Sequence, residues 1–250
     1  MLLVKDLRVG YDGFIAVLSA SLQVATGQIV SLIGANGAGK TSLLSAVAGL
    51  QKPESGQVLY HDEDITGLPA DQVVSKGLCM VPQGGRCFQR MSVEDNLLVG
   101  SYRKSARNHR NASLEMVYQL FPVLKTKRKD LAGTLSGGQR QMVAIGRALM
   151  AEPACIIFDE ISLGLAPLVI QDIYMTIRKI NTENHTSILL VEQDTEKALR
   201  MADYCYIMQG GRITLEGRTD QLDSDSIREA YFGIADKEQT VAPEAERTEK

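Results

Sequence analysis

The 250-residue sequence predicts an α/β fold, with a parallel-strand core, antiparallel strands ahead of it and a helical lobe set into it. Three observations lead there. The β-branched apolar run Ile29–Ile33 ends in a glycine-rich loop, after which Leu43, Leu44, Val47 and Leu50 recur at helical spacing. Strand, glycine loop and helix are the opening of an α/β unit. Two later apolar runs, residues 154–158 and 187–191, have strand length and resume the core. The stretch between, about residues 88–150, is more charged and its apolar residues fall at helical spacing.

In chain order, Leu3, Val4 and Leu7, then Leu18, Leu22 and Val24, read as strands broken at Asp12-Gly13 and Thr26-Gly27. Within the lobe, Leu114, Val117, Tyr118, Phe121 and Leu124 form one apolar face. Met142, Ile145 and Leu149 form another, after a helix-start signal at Ser136-Gly137-Gly138. A strand near residues 204–208 turns at Gly210-Gly211 into Arg212-Ile213-Thr214. Residues 236–250 carry eight charges and few large apolar groups, the composition of a disordered tail. One folded domain is therefore expected over residues 1–235, with the lobe inserted at about 88–150.

Composition excludes several roles. Lys and Arg number 27 against 30 Asp and Glu, a net charge of −3, which argues against a nucleic-acid partner held by bulk positive charge. Cys79, Cys87, Cys155 and Cys205 show no paired spacing, and with three histidines they predict reduced thiols rather than a zinc site. No apolar run reaches the roughly 18–20 residues of a membrane-spanning helix. The first six residues lack the features of a secretion signal. The expectation is an intracellular chain that meets a membrane as a peripheral partner.

Gly34-Ala35-Asn36-Gly37-Ala38-Gly39-Lys40-Thr41 matches the phosphate-binding P-loop pattern, and Ser42 follows it into the helix. Its glycines let backbone N–H groups and a helix N-terminus face phosphate oxygens. Lys40 brings a fixed positive charge to them, and the Thr41 hydroxyl suits Mg²⁺. Residues 156–160 form an apolar run ending in Asp159-Glu160. Asp159 is expected to face the magnesium shell from a strand beside the P-loop. Glu160 is expected on the strand's other side, as acceptor of a proton from attacking water. Leu135-Ser136-Gly137-Gly138-Gln139 is a second helix start suited to an anion. Two such starts about a hundred residues apart suit one phosphate best when two copies stand head to tail.

In this order the three motifs make the chain, from about Leu3 to Gly233, resemble the nucleotide-binding subunit of an ABC transporter. The resemblance implies ATP and Mg²⁺ bound at a site completed by a second ATPase subunit, a different chain in preference to a second copy. It implies Tyr11 stacked on adenine, and Gln83, in Val81-Pro82-Gln83, reaching Mg²⁺ and the water. Metal contact thus falls to Thr41, Gln83 and Asp159, and catalysis to Glu160, Lys40 and Gln193. Ser136, Gly137, Gly138 and Gln139 of the facing protomer close over the nucleotide, and Ser162-Leu163-Gly164-Leu165 crosses between protomers. Gln193 stands where most of the family has histidine, Leu165 where many members have aspartate and Ile161 where many have proline. Glutamine donates a neutral hydrogen bond but carries no imidazolium charge.

Glu192-Gln193, residues 162–167, residues 93–98 and Tyr231-Phe232-Gly233 resemble the LivF-like ATPases of branched-chain amino acid importers. Permease subunits, a solute-binding protein acting through them, and the cytoplasmic face of the bacterial inner membrane are then implied. The alternatives are an importer of urea or short amides, a nucleotide-gated assembly module with weak hydrolysis, and an ABC ATPase acting on DNA or the ribosome. The last usually has coiled-coil arms or two nucleotide domains, and neither is present here. A cationic stretch in the lobe (Arg103, Lys104, Arg107 and Arg110, then Lys125, Lys127, Arg128 and Lys129) reads as solvated helix charge rather than a lipid-binding face.

Overall fold

The computed structural model describes residues 1–232. The expected tail at 236–250, the last residues of the expected domain at 233–235, and with them Gly233, lie outside the described residues. The chain opens with an antiparallel hairpin of β1 (Leu2–Tyr11) and β2 (Phe14–Val24), paired from Leu2↔Val24 to Tyr11↔Phe14. Asp12 and Gly13 both take positive φ, 44° and 90°, the turn whose twist matches that of the flanking strands. A bulge at Asp6, φ 45°, interrupts the alternation of β1. The buried set is therefore Leu2, Val4, Leu7 and Val9, and Leu3 and Leu18 are only half-buried.

β3 (Ile29–Ile33) is buried throughout and leads into α1 (Lys40–Val47). Leu43, Leu44 and Val47 of that helix are buried, but the expected fourth member, Leu50, lies past its end and is 63% exposed. β4 (Ser55–Tyr60) and β5 (Glu63–Asp64) extend the antiparallel strands beyond β1, and α2 (Ala70–Ser75) precedes β6 (Leu78–Val81).

Five helices then follow: α3 (Val93–Gly100), α4 (Lys104–Asn108), α5 (Arg110–Leu120), α6 (Pro122–Thr126) and, after a short 3₁₀ turn, α7 (Gly137–Leu149). The apolar face read from Leu114 to Leu124 is not one helix. Phe121 is extended (φ −130°, ψ 77°) and Pro122, which cannot donate to the helix ladder, starts a new one. Val117, Tyr118, Phe121 and Leu124 are nonetheless all buried. Part of the lobe's cationic charge is paired at the surface, Lys125 with Glu115, Lys127 with Asp130 and Arg128 with Glu94.

The core resumes with β7 (Cys155–Asp159), α8 (Pro167–Asn184), β8 (Ser187–Glu192), α9 (Thr195–Met201), β9 (Tyr204–Gln209), β10 (Arg212–Arg218) and α10 (Ser224–Phe232). The ten strands run in the order β5-β4-β1-β2-β10-β9-β3-β8-β7-β6. From β9 to β6 every pairing is parallel, while β10 joins the antiparallel half through Arg212↔Ser19. The ends of β3, β7 and β8 thus share one edge of the parallel half, where open α/β sheets bind ligands.

Alternation along the buried strands sorts the core into two faces. Cys155, Ile157, Leu189 and Val191 pack toward Leu43, Leu44 and Val47 of α1. Ile156, Phe158, Ile188 and Leu190 pack toward the other side, with Val143 and Ile145 of α7 and Ile170, Ile173 and Ile177 of α8. Asp159 and Glu192 end their strands on opposite faces of this alternation.

Candidate functional site

The loop after β3 is held by its own geometry. Gly39, at φ 105°, occupies the N-cap position of α1, and a Cβ there would stand 2.5 Å from the Ala16 carbonyl oxygen of β2. Glycine is the residue that tolerates both the left-handed backbone and the close approach. No side chain caps α1, so its first N–H groups remain available to an external acceptor. Lys40 begins the helix almost fully buried, at 4% exposure. Its Nζ donates to the carbonyls of Gly34 (2.6 Å) and Ala35 (3.1 Å) and pairs with Glu160 Oε1 at 3.3 Å.

The second layer corrects two sequence expectations. β7 is not beside β3, because β8 lies between them. Asp159 still reaches the P-loop, for Thr41 Oγ1 donates to its Oδ1 at 3.4 Å. Nor does Glu160 point away from Asp159. Its φ of 46° ends the strand alternation and turns the side chain back toward Lys40. Both carboxylates therefore converge on the P-loop. Burial, and then the Glu160 charge beside it, raise the Asp159 carboxyl above its ordinary pKa.

Two glutamines close on the same carboxylate. Gln83 Nε2 donates to Glu160 Oε2 at 3.1 Å and Gln193 Nε2 donates to that oxygen at 2.8 Å. With Lys40 on Oε1, Glu160 is oriented by groups from three parts of the chain. Such an arrangement can fix a proton acceptor at the sheet edge. Sequence reasoning missed a bond behind this layer. Ser162 Oγ donates to Oε2 of Glu192 at 2.7 Å, and Glu192 is 2% exposed. The one available signal was an acidic residue at the end of an apolar strand.

The remaining expected residues stand apart. Ser136 caps α7, its Oγ accepting from Gln139 N at 3.3 Å while Gln139 Oε1 accepts from Ser136 N at 3.2 Å. Gly138 lies against Val169 of α8, where a Cβ would meet Val169 Cγ1 at 2.5 Å. Among the described residues no hydrogen bond joins residues 136–139 to the P-loop. Tyr11 is 39% exposed at the tip of the first hairpin, and Phe14, its cross-strand partner, is more exposed still. The hairpin reaches the P-loop through Ala16.

The chain is similar to known proteins over most of its length. The family profile described as ABC transporter matches residues 17–162. The high-affinity branched-chain amino acid transport ATP-binding protein BraG of Pseudomonas aeruginosa is 41% identical over 224 residues, 89% of this chain and 95% of that one. The probable branched-chain amino acid transport ATP-binding protein LivF of Archaeoglobus fulgidus is 31% identical, over 94% of this chain and all of its own. Among solved structures, the ADP conformation of an ATP-binding cassette of an ABC transporter superposes with a TM-score of 0.79 at 27% identity. That match covers 93% of this chain and 98% of the other.

Proposed function

The chain belongs to the ABC transporter family of ATP-binding subunits, and we propose that it energises import of branched-chain or related amino acids by hydrolysing ATP. The observation that carries the hydrolytic reading is the convergence of Lys40, Glu160, Gln83 and Gln193 on one point at the edge of the sheet. The substrate class rests on the likeness to BraG over nearly the whole of both chains.

In this reading the uncapped N-terminus of α1 and the amides of Gly34, Ala35, Asn36, Gly37, Ala38 and Gly39 hold the phosphates, with Thr41 and Ser42 in the helix's first turn. Lys40 exchanges its hold on the Gly34 and Ala35 carbonyls for phosphate oxygens. Glu160 accepts the proton of the attacking water, and Gln193 and Gln83 fix its orientation. Tyr11 stacks on the base. Residues 136–139 of a facing subunit close the site from the far side. Rate enhancement comes from positioning and electrostatics, as phosphoryl transfer requires.

The donor set fits Mg²⁺. Thr41 Oγ1 and Asp159 Oδ1 are hard oxygen donors 3.4 Å apart, and the buried Asp159 carboxyl gains from a neighbouring cation. Gln83, whose amide nitrogen donates to Glu160, would add an amide oxygen. Among the described residues no three His, Cys, Asp or Glu side chains are grouped to hold a metal unaided, so the ion would come with the nucleotide. Bound there, it would neutralise charge on the phosphates.

Among the described residues no helix is long and apolar enough to cross a membrane, and this reading takes the permease as a separate chain. The chain then works at the cytoplasmic face of the inner membrane. The groove beside Gln83, about 420 Å³ and lined by Pro82, Phe88, Val99 and Tyr102, suits an apolar segment of that permease. The test is uptake of labelled leucine, isoleucine and valine by host cells lacking this chain. Loss of uptake, restored by the wild-type chain and not by Glu160→Gln, is expected. Unchanged amino acid uptake with loss of urea or short-amide uptake would overturn the substrate class.

A further inference from the structure

Glu192 has no part in the mechanism above, yet it is among the most buried charged-type side chains of the molecule, at 2% exposure. It ends β8 immediately before Gln193, on the face of the sheet away from α1. Across β7, Glu160 N donates to the Val191 carbonyl at 2.9 Å, so the loop after β7 is already tied to β8 beside Glu192. Two side-chain bonds then cross the same gap in opposite directions. Gln193 Nε2 reaches from β8 to Glu160, and Ser162 Oγ reaches from the β7 loop to Glu192. We propose that Glu192 is a positioning residue, whose hydrogen bond to Ser162 holds the β7 loop at the spacing that keeps Gln193 on Glu160.

The chemistry of the pocket supports a role beyond filling space. Oε2 of Glu192 accepts from Ser162 at 2.7 Å, and the buried Tyr174 hydroxyl of α8 faces the same carboxyl, with no well-formed hydrogen bond on Oε1. Burial raises the Glu192 carboxyl above its ordinary pKa, and burial followed by the adjacent Glu192 raises the Tyr174 phenol. The Tyr174 hydroxyl is a donor facing the Glu192 carboxyl, so a small movement lets it satisfy Oε1 while Oε2 still accepts from Ser162. The loop so fixed continues to Leu165, whose Cδ2 would lie 3.6 Å from a Cβ at Gly137, the first residue of α7. Glu192 thereby ties the proton acceptor and the loop after β7 to one strand end.

The inference rests on the hydrolytic reading, and one control separates the two: wild type must hydrolyse ATP and Glu160→Gln must not. Turnover of the full-length chain in its membrane complex is measured beside nucleotide affinity. Glu192→Ala and Ser162→Ala should each lower kcat by roughly 10-fold to 100-fold, the scale of a misplaced catalytic group, with ATP Kd within twofold of wild type. The double variant should fall no further than the worse single, since both remove one bond. Glu192→Gln still accepts from Ser162 without a charge, and should recover most of the rate. Additive losses, a Gln variant no better than Ala, or melting temperatures that fall while kcat holds would overturn the proposal. Should Glu192→Ala fail to fold, Ser162→Ala against Glu192→Gln carries the same test.

Discussion

Helices α1 and α7 both begin at glycine-rich turns, and their first turns are completed in opposite ways. At α1 the N-cap is a left-handed glycine and no side chain accepts from the helix, so its leading N–H groups await a ligand. At α7 the Ser136 hydroxyl and the Gln139 amide satisfy one another's backbone in a reciprocal cap, and Ser136 and Gly137 are exposed. The first turn of α1 is surrounded by Asp159, Glu160 and, through Glu160, by Gln83 and Gln193. No comparable set of titratable groups is hydrogen-bonded to residues 136–139 among the described residues. In the proposed reading α1 is the chemical half, which meets phosphate with uncapped amides, and α7 is the closing half, whose start is partly capped by its own side chains. The cap engages only the Ser136 and Gln139 amides, so the Ser136 hydroxyl hydrogen stays free for a ligand presented from outside.

The largest effect expected from breaking this contrast comes from the chemical half. Glu160→Gln keeps the size of the side chain and one acceptor oxygen, enough for Lys40 or for the two glutamines but not for both, and removes the proton acceptor. ATP affinity should stay nearly intact while hydrolysis slows by roughly 10²–10⁴-fold, measured as phosphate release at saturating ATP. Hydrolysis within tenfold of wild type would remove Glu160 from its role.

The closing half should respond differently. Ser136→Arg destroys the cap and puts a bulky cation at the exposed start of α7 without touching α1. Nucleotide binding by the isolated chain should survive, within about threefold, while turnover of the assembled pair falls by roughly 100-fold through lost positioning. If the isolated chain stops binding nucleotide, the two helix starts serve one intramolecular site and the contrast fails.

How far the sequence showed this division depended on how local each part is. The P-loop was legible because eight consecutive residues determine its backbone and its phosphate chemistry together. The start of α7 was equally so, since Ser136 and Gln139 form the cap within one turn. What ran across the sheet was not legible. Strand order put β8 between β3 and β7, and nothing in residues 156–160 encodes that neighbour. The alternation rule sent Glu160 to the wrong face because a positive φ at a glutamate is uncommon and follows from its surroundings. Ser162 and Glu192 are 30 residues apart, and only the pairing of β7 with β8 joins them.

A smaller, thermodynamic effect sharpens the comparison at its hinge. The Glu192 carboxyl is raised by burial in the folded chain, against about 4.3 for a free glutamate. Between those two values the unfolded chain releases a proton that the folded chain keeps. Stability contributed by Glu192 is therefore complete below the unfolded pKa and is lost as pH rises through the folded one, at up to about 1.4 kcal/mol per pH unit. Glu192→Gln removes that slope. Denaturant midpoints from pH 4 to 8 should show the variant gaining on wild type with rising pH and then holding level. Parallel curves would mean that Glu192 titrates alike in both states.

The smallest effect is the most informative about partners. Gln193 supplies an uncharged donor to Glu160 at 2.8 Å, where most of the family has histidine. Two copies of this chain would give two sites lacking an ionisable group at that position. Pairing with a different subunit that retains the histidine would give one site of each kind. The second arrangement predicts that the site built on this chain's P-loop turns over more slowly, and that Gln193→His raises turnover of the assembled transporter by a few-fold. The new side chain would also titrate, near the ordinary histidine pKa of about 6.5 and moved upward by the Glu160 carboxylate it faces. Its extra contribution should thus be largest below that pKa and fade as pH rises through it. The measurement is ATPase rate against pH for the reconstituted complex, wild type beside the variant. If wild type hydrolyses at full rate as a homodimer and the variant adds neither rate nor a new titration, the neutral donor is sufficient. The two sites of the working assembly would then be chemically equivalent.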